Sequence, residues 1–112
     1  MKRVVVAAMV VTLVASCGGG KSRTVVSRNT VSTGPIATAC MQAGRSGASY
    51  TRCGCVQSVA DASLSNGDQR LGASFFADPH RAQEIRQSDK IGHSEFWLRW
   101  KAFGDKAAEI CT

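Results

Sequence analysis

Proline, tyrosine and histidine are scarce in this chain: two, one and two residues among 112. Beyond residue 17 no apolar run approaches the ~18 residues that cross a bilayer, so the remainder cannot itself build a transport path. No glycine-rich loop follows a strand pattern, which leaves nothing to cradle a phosphate. No serine or cysteine stands in a pattern that supplies it with a general base. His80 and His93 share no zinc-site spacing with the cysteines, so neither metal nor cofactor is expected. The chain is also too short for two lobes closing on a substrate.

What is present begins with Met1 to Cys17, MKRVVVAAMVVTLVASC. Lys2 and Arg3 form a positive start, Val4 to Leu13 an apolar stretch, and Ala15 and Ser16 place small residues before a cysteine. That order is a secretory signal rather than a fold element. The Val14-Ala15-Ser16-Cys17 ending resembles the lipobox of bacterial lipoproteins. The resemblance implies cleavage before Cys17, a diacylglyceryl group on its thiol and a fatty acyl group such as palmitate on its new amine. Several acyl chains on one residue anchor stably where a single chain does not. Gly18 stands where an aspartate often marks inner-membrane retention in that family, so the outer membrane is favoured.

The organisation expected is a signal peptide over 1–16, lipidated Cys17 with a flexible tether over 17–34, and a helical domain over 35–112. The formal charge of +6 falls to +4 without Lys2 and Arg3. Lys21, Arg23 and Arg28 hold three of those charges, and the tether has no acid. Residues 35–112 carry nine Lys or Arg against eight Asp or Glu. The basic character thus belongs to signal and tether, which argues against a nucleic-acid partner and suits anionic headgroups at a membrane surface.

Four cysteines remain after Cys17: Cys40, Cys53, Cys55 and Cys111. In an exported chain of this size an even number reads as a disulfide framework. A Cys53–Cys55 bridge would be strained within a helix, which leaves two patterns. Cys40–Cys53 with Cys55–Cys111 is preferred over Cys40–Cys55 with Cys53–Cys111. Either staples the first helix to the second and the second to the end of the chain.

Everything from Pro35 onward reads as helix, in an all-α bundle of four or five helices. Pro35 suits a first helical turn, and Ile36, Ala39 and Cys40 give a short helix over roughly 35–43. Ser49 caps a second helix running to about Leu64, with Val56, Val59, Ala60, Ser63 and Leu64 on one stripe. Cys53 joins that stripe, and Cys55 faces another neighbour. Gly54 admits close approach of another backbone. Ser65 and Asp68 resemble a capping box before a helix burying Leu71, Phe75 and Phe76. Asp78-Pro79 starts the next helix, with Glu84 early, Arg86 late, and Ala82 and Ile85 inward. His93 or Ser94 caps the last helix, where Phe96, Trp100, Phe103, Ala107 and Ile110 form a sustained stripe expected to be the core.

Three functional readings follow from these residues. The first is an envelope binding or interaction module with an unidentified envelope partner, for which Trp97, off the core stripe, and Arg99 form a candidate contact surface. The second is a thiol-disulfide oxidoreductase using Cys53 and Cys55. The third comes from resemblance. Ala39-Cys40-Met41-Gln42, Cys53-Gly54-Cys55, Ser74 to Asp89 and Phe96 to Phe103 resemble a small alphaproteobacterial family of short exported proteins, some labelled arginine transporter. That label implies an accessory role in amino-acid uptake, with Glu84, Asp89 or Glu95 receiving a guanidinium, and it carries no catalytic residues across.

Overall fold

The computed structural model describes residues 25–112 and is helical, with no strand among the described residues. The expected signal, Cys17 and the first part of the expected tether lie outside the described residues. Helix α1 spans Pro35–Gln42, α2 Tyr50–Ser63, α3 Asn66–Ala77, α4 Pro79–Arg86 and α5 Ile91–Ile110. The fold is the small disulfide-stapled helical bundle that the spacing predicts. No helix of the described residues is long and apolar enough to cross a membrane.

The helix boundaries are chemical. Ser49 caps α2 by accepting from the Arg52 N–H at 3.1 Å, and Ser65 caps α3 by accepting from the Asp68 N–H at 3.2 Å. Each satisfies one of the orphan donors of a first turn. The second arm of the expected capping box is absent, because the Asp68 carboxylate turns to Arg99 instead. Asp78 stands before Pro79 as expected, but its side chain makes no capping bond. It closes α3 by donating to Ser74 O and opens α4 by accepting from the Arg81 N–H. Glu84 lies beyond the first turn of α4, where it pairs with His80 at 3.5 Å and Arg81 at 3.6 Å.

The start of α5 also departs from expectation. Lys90, not His93 or Ser94, is the cap residue, and its carbonyl accepts from both of their N–H groups. Ser88 sets this geometry: its hydroxyl accepts from the Lys90 N–H at 3.2 Å and bonds the His93 ring at 2.7 Å. A turn closed this tightly lets the helix begin three or four residues early and carries Gly92 into its first turn.

Two apolar clusters replace the single aromatic core expected from α5. The first surrounds the Cys55–Cys111 bridge with Ile36, Val59, Ala60, Leu64, Phe103 and Ala107. The second holds Phe75, Ile85 and Phe96. Trp100 packs against both. Its ring centroid lies 5.4 Å from Phe75, edge-on, and 5.0 Å from Phe103. Edge-to-face pairs at such spacing add to plain burial because the ring edge is positive and the face negative.

Residues 25–34, expected as the far end of a free tether, lie along α2. The Ser32 N–H donates to Gly54 O at 3.0 Å, and Val26 packs against the first cluster. The backbone that Gly54 admits is that of Val31.

Candidate functional site

Helix α2 is tied on two sides. Cys40 on α1 bonds Cys53, and Cys55 bonds Cys111 at the end of α5, with Cα separations of 5.7 and 5.8 Å. Two residues along a helix turn through about 200°, so Cys53 and Cys55 face different neighbours and belong to different bridges. Cys53 and Cys55 are both buried. Thiol-disulfide exchange requires an attacking thiolate to reach a sulfur, and the only half-exposed sulfur-bearing residue of the four is Cys40.

Behind the first bridge lies a polar knot that the apolar stripe did not reveal. Gln57 and Gln69 are buried, and Asp61 closes the group. The Gln57 carbonyl oxygen accepts from the Ala37 N–H at 2.9 Å, satisfying an orphan donor of α1. Its amide donates to Gln69 Oε1 at 2.7 Å and Asp61 Oδ1 at 2.8 Å. The Gln69 amide completes the knot by donating to Asp61 Oδ1 and Leu64 O. Every buried side-chain nitrogen and oxygen among the described residues has a partner. A fully satisfied knot specifies how α1, α2 and α3 meet, and it leaves no orphan group to act on a ligand.

The residues singled out for contact are placed apart in role. Trp97 is half-buried against the second cluster. Arg99 forms a two-pronged pair with Asp68, Nε to Oδ2 at 2.7 Å and Nη2 to Oδ1 at 3.1 Å. The hydrogen bond to Asp68 raises the Arg99 pKa further, aided by the charges of Asp68 and Glu95 and opposed by partial desolvation. The guanidinium is therefore charged at any working pH and committed to its own chain. The exposed apolar residue of this stretch is Leu98, between them, at 69%. His80 and His93 are engaged with Glu84 and Ser88, and no three His, Cys, Asp or Glu gather as a metal cluster among the described residues.

A concave feature with an apolar wall and a cation free of any ion pair among the described residues lies elsewhere. An open groove of about 300 Å³ runs between the α3–α4 corner and α5, walled by Phe75, Phe76, Pro79, Ala82 and Trp100. Gln83 and Arg45 complete its lining. Arg45 reaches it from the α1–α2 loop, which bends through Gly44 at φ 59° and Gly47 at φ 86°. Both values belong to the left-handed region that glycine enters without penalty. The loop is held by the Ala48 N–H on Arg45 O at 2.9 Å and the Arg52 guanidinium on Gly47 O at 3.1 Å. Arg45 forms no ion pair among the described residues. In the sequence its only signal is a lone cation inside a Gly-Arg-Ser-Gly break, which is indistinguishable from an ordinary solvated loop.

A second depression, of about 290 Å³, lies between residues 32–34, α1 and the start of α2, beside the half-exposed Met41 and the exposed Tyr50. No charged side chain lines it. No protein-family model, curated protein or solved structure matches this chain.

Proposed function

We propose that this chain is an exported, lipid-anchored helical module that acts by binding in the cell envelope rather than by catalysis. The observation that carries the reading is the pair of bridges, Cys40–Cys53 and Cys55–Cys111. Protein disulfides of this structural kind persist in oxidising compartments and are rare in the cytosol. The lipobox-like Val14 to Cys17 supplies the matching route: export, cleavage before Cys17 and acylation there. Anchored through Cys17 on the periplasmic side, with the outer membrane favoured over the inner, the domain would present its groove to envelope partners. Small size, a fully satisfied polar interior and cysteines committed to staples all fit a binding role.

Intact-mass spectrometry of the protein from fractionated envelopes, with and without reduction, tests this directly. The expected result is loss of residues 1–16, a gain of acyl mass at Cys17, and two hydrogens gained per bridge on reduction. Cys17→Ala should release the chain from the membrane fraction. Recovery from the cytosol, unprocessed and with free thiols, would overturn the proposal.

A further inference from the structure

The groove beside Trp100 combines three features that together narrow its occupant. Its floor and walls are aromatic or aliphatic: Phe75, Phe76, Pro79, Ala82 and Trp100. Its lining charge is positive, from Arg45, which has no intramolecular ion-pair partner among the described residues. Its volume of about 300 Å³ stands at the floor of the ~300–1,000 Å³ range for ligand pockets. That space suits one large side chain together with the group attached to it.

We propose that this groove captures the C-terminal residue of a partner polypeptide, an aromatic or branched aliphatic side chain lying on Trp100 and Phe76 and the terminal carboxylate on Arg45. At a chain end the α-carboxylate stands on the same residue as such a side chain, which matches a groove that sets Arg45 beside its apolar wall. Arginine's planar fork donates two parallel hydrogen bonds to a carboxylate, and such charge-assisted pairs are among the stronger hydrogen bonds. The Gln83 amide on the same wall offers a further donor. Capture of a terminal carboxylate beside an apolar pocket is a recurring way of reading chain ends. A guanidinium ligand is disfavoured here because it would meet the like charge of Arg45.

The second depression, by Tyr50 and Met41, lacks any charged side chain and so selects no class of partner. A further groove, of about 350 Å³, has apolar Val26, Val59 and Ile110 beside Lys106, but that cation pairs with Glu109 at 3.8 Å. The outward residues of α5, Ile91 and Leu98, are exposed and line none of the grooves described above. The Arg45 groove joins shape and apolar surface to a cation without an ion-pair partner among the described residues.

This inference rests on reading the domain as a binding module, and its test is independent of export and anchoring. The chain has two tryptophans, so Trp97→Phe in the purified, oxidised full chain leaves Trp100 as the sole indole reporter. The probes are N-acetyl-Gly-Gly-Phe, the same peptide as its C-terminal amide, and 3-phenylpropanoate. The acid peptide should shift Trp100 emission saturably, with the amide about tenfold weaker for want of the charge-assisted pair. Arg45→Gln, on an exposed loop where misfolding is not at issue, should bring the acid down to the level of the amide. Ala82→Phe should fill the groove and abolish both responses with the helical circular dichroism retained. Equal binding of acid and amide, or no saturable change at millimolar peptide, overturns the proposal. Binding of 3-phenylpropanoate as tightly as the peptide also overturns it, giving the groove to free aromatic acids. Failure here leaves the mass measurement of processing and anchoring standing, and failure of anchoring leaves this titration standing.

Discussion

Gly72 on α3 carries no side chain where the Trp100 indole lies against it: a Cβ there would overlap ring atoms Cζ3, Cη2 and Cε3. The missing side chain lets α3 approach α5 closely here, with Trp100 packed against both apolar clusters. Gly72→Ala sets two effects against each other. Helix propensity gains ~1 kcal/mol, whereas overpacking costs roughly 1–3 kcal/mol. The indole packs on both Phe75 and Phe103 and could yield only toward the open groove, giving up contacts with them, so the cost should win. Urea denaturation should show a lower midpoint with an altered Trp emission maximum, and an unchanged or raised midpoint would contradict this packing.

Gly54→Ala should behave differently although its steric conflict is similar. The added Cβ would overlap Val31 Cγ1, but Val31 belongs to a non-helical segment held to α2 by the Ser32–Gly54 hydrogen bond and by Val26, contacts weaker than those that fix Trp100. Overpacking is then relieved by release of residues 25–34, while α2 keeps its gain in propensity. Global stability should change by less than about 1 kcal/mol, and trypsin should cut after Arg28 faster than in the parent chain. Equal cutting rates would mean that this segment does not depend on Gly54.

The two bridges should differ in their contribution to stability. They close loops of 13 and 56 residues in sequence. Loop-closure entropy assigns roughly 3 kcal/mol to the shorter and roughly 4 kcal/mol to the longer. Paired alanine substitution at Cys55 and Cys111 should therefore lower the unfolding free energy about 1 kcal/mol more than at Cys40 and Cys53. Burial points the same way, since Cys55 and Cys111 sit in the first cluster. A larger loss from the Cys40–Cys53 pair would show that the α1 connection dominates.

Gln57→Leu removes the acceptor for the Ala37 N–H and the donor to Gln69 Oε1 and Asp61 Oδ1. An orphaned buried polar group costs ~1–3 kcal/mol. With two or more groups orphaned, the loss should reach roughly 2–4 kcal/mol, despite the gain in apolar surface. Amide hydrogen exchange at Ala37 should accelerate in the same variant, and protection at wild-type level would mean another acceptor has replaced Gln57.

The Arg99–Asp68 pair should add no pH dependence of folding near neutrality through Arg99. The hydrogen bond to Asp68 raises the Arg99 pKa. A raised basic group gives its stabilisation in full below its unfolded pKa and loses it only as pH climbs through the folded one. For an arginine that window lies in strong alkali, so unfolding midpoints between about pH 6 and 9 should not change because of Arg99. A midpoint sensitive to Arg99→Gln in its slope against pH across that interval would contradict the assignment.

The order of helices, the caps at Ser49 and Ser65 and the stripe from Phe96 to Ile110 follow from local rules. They depend on side chains three or four residues apart, and those distances are fixed by the helix itself. Cysteine spacing likewise narrowed the bridges to two patterns, and only the packing of α1 and the chain end against opposite sides of α2 chose between them. Gln57, Gln69 and Asp61 read as ordinary polar positions in sequence because their meeting needs two helices to cross. Asp68 read as a capping residue for the same reason, since its partner Arg99 is 31 positions away. Arg45 became part of a groove only when a loop bent by two glycines brought it to residues from α3, α4 and α5. Periodicity and capping act along the chain and are written in it; side-chain partnership across helices depends on crossing geometry, which many weak packing terms decide together.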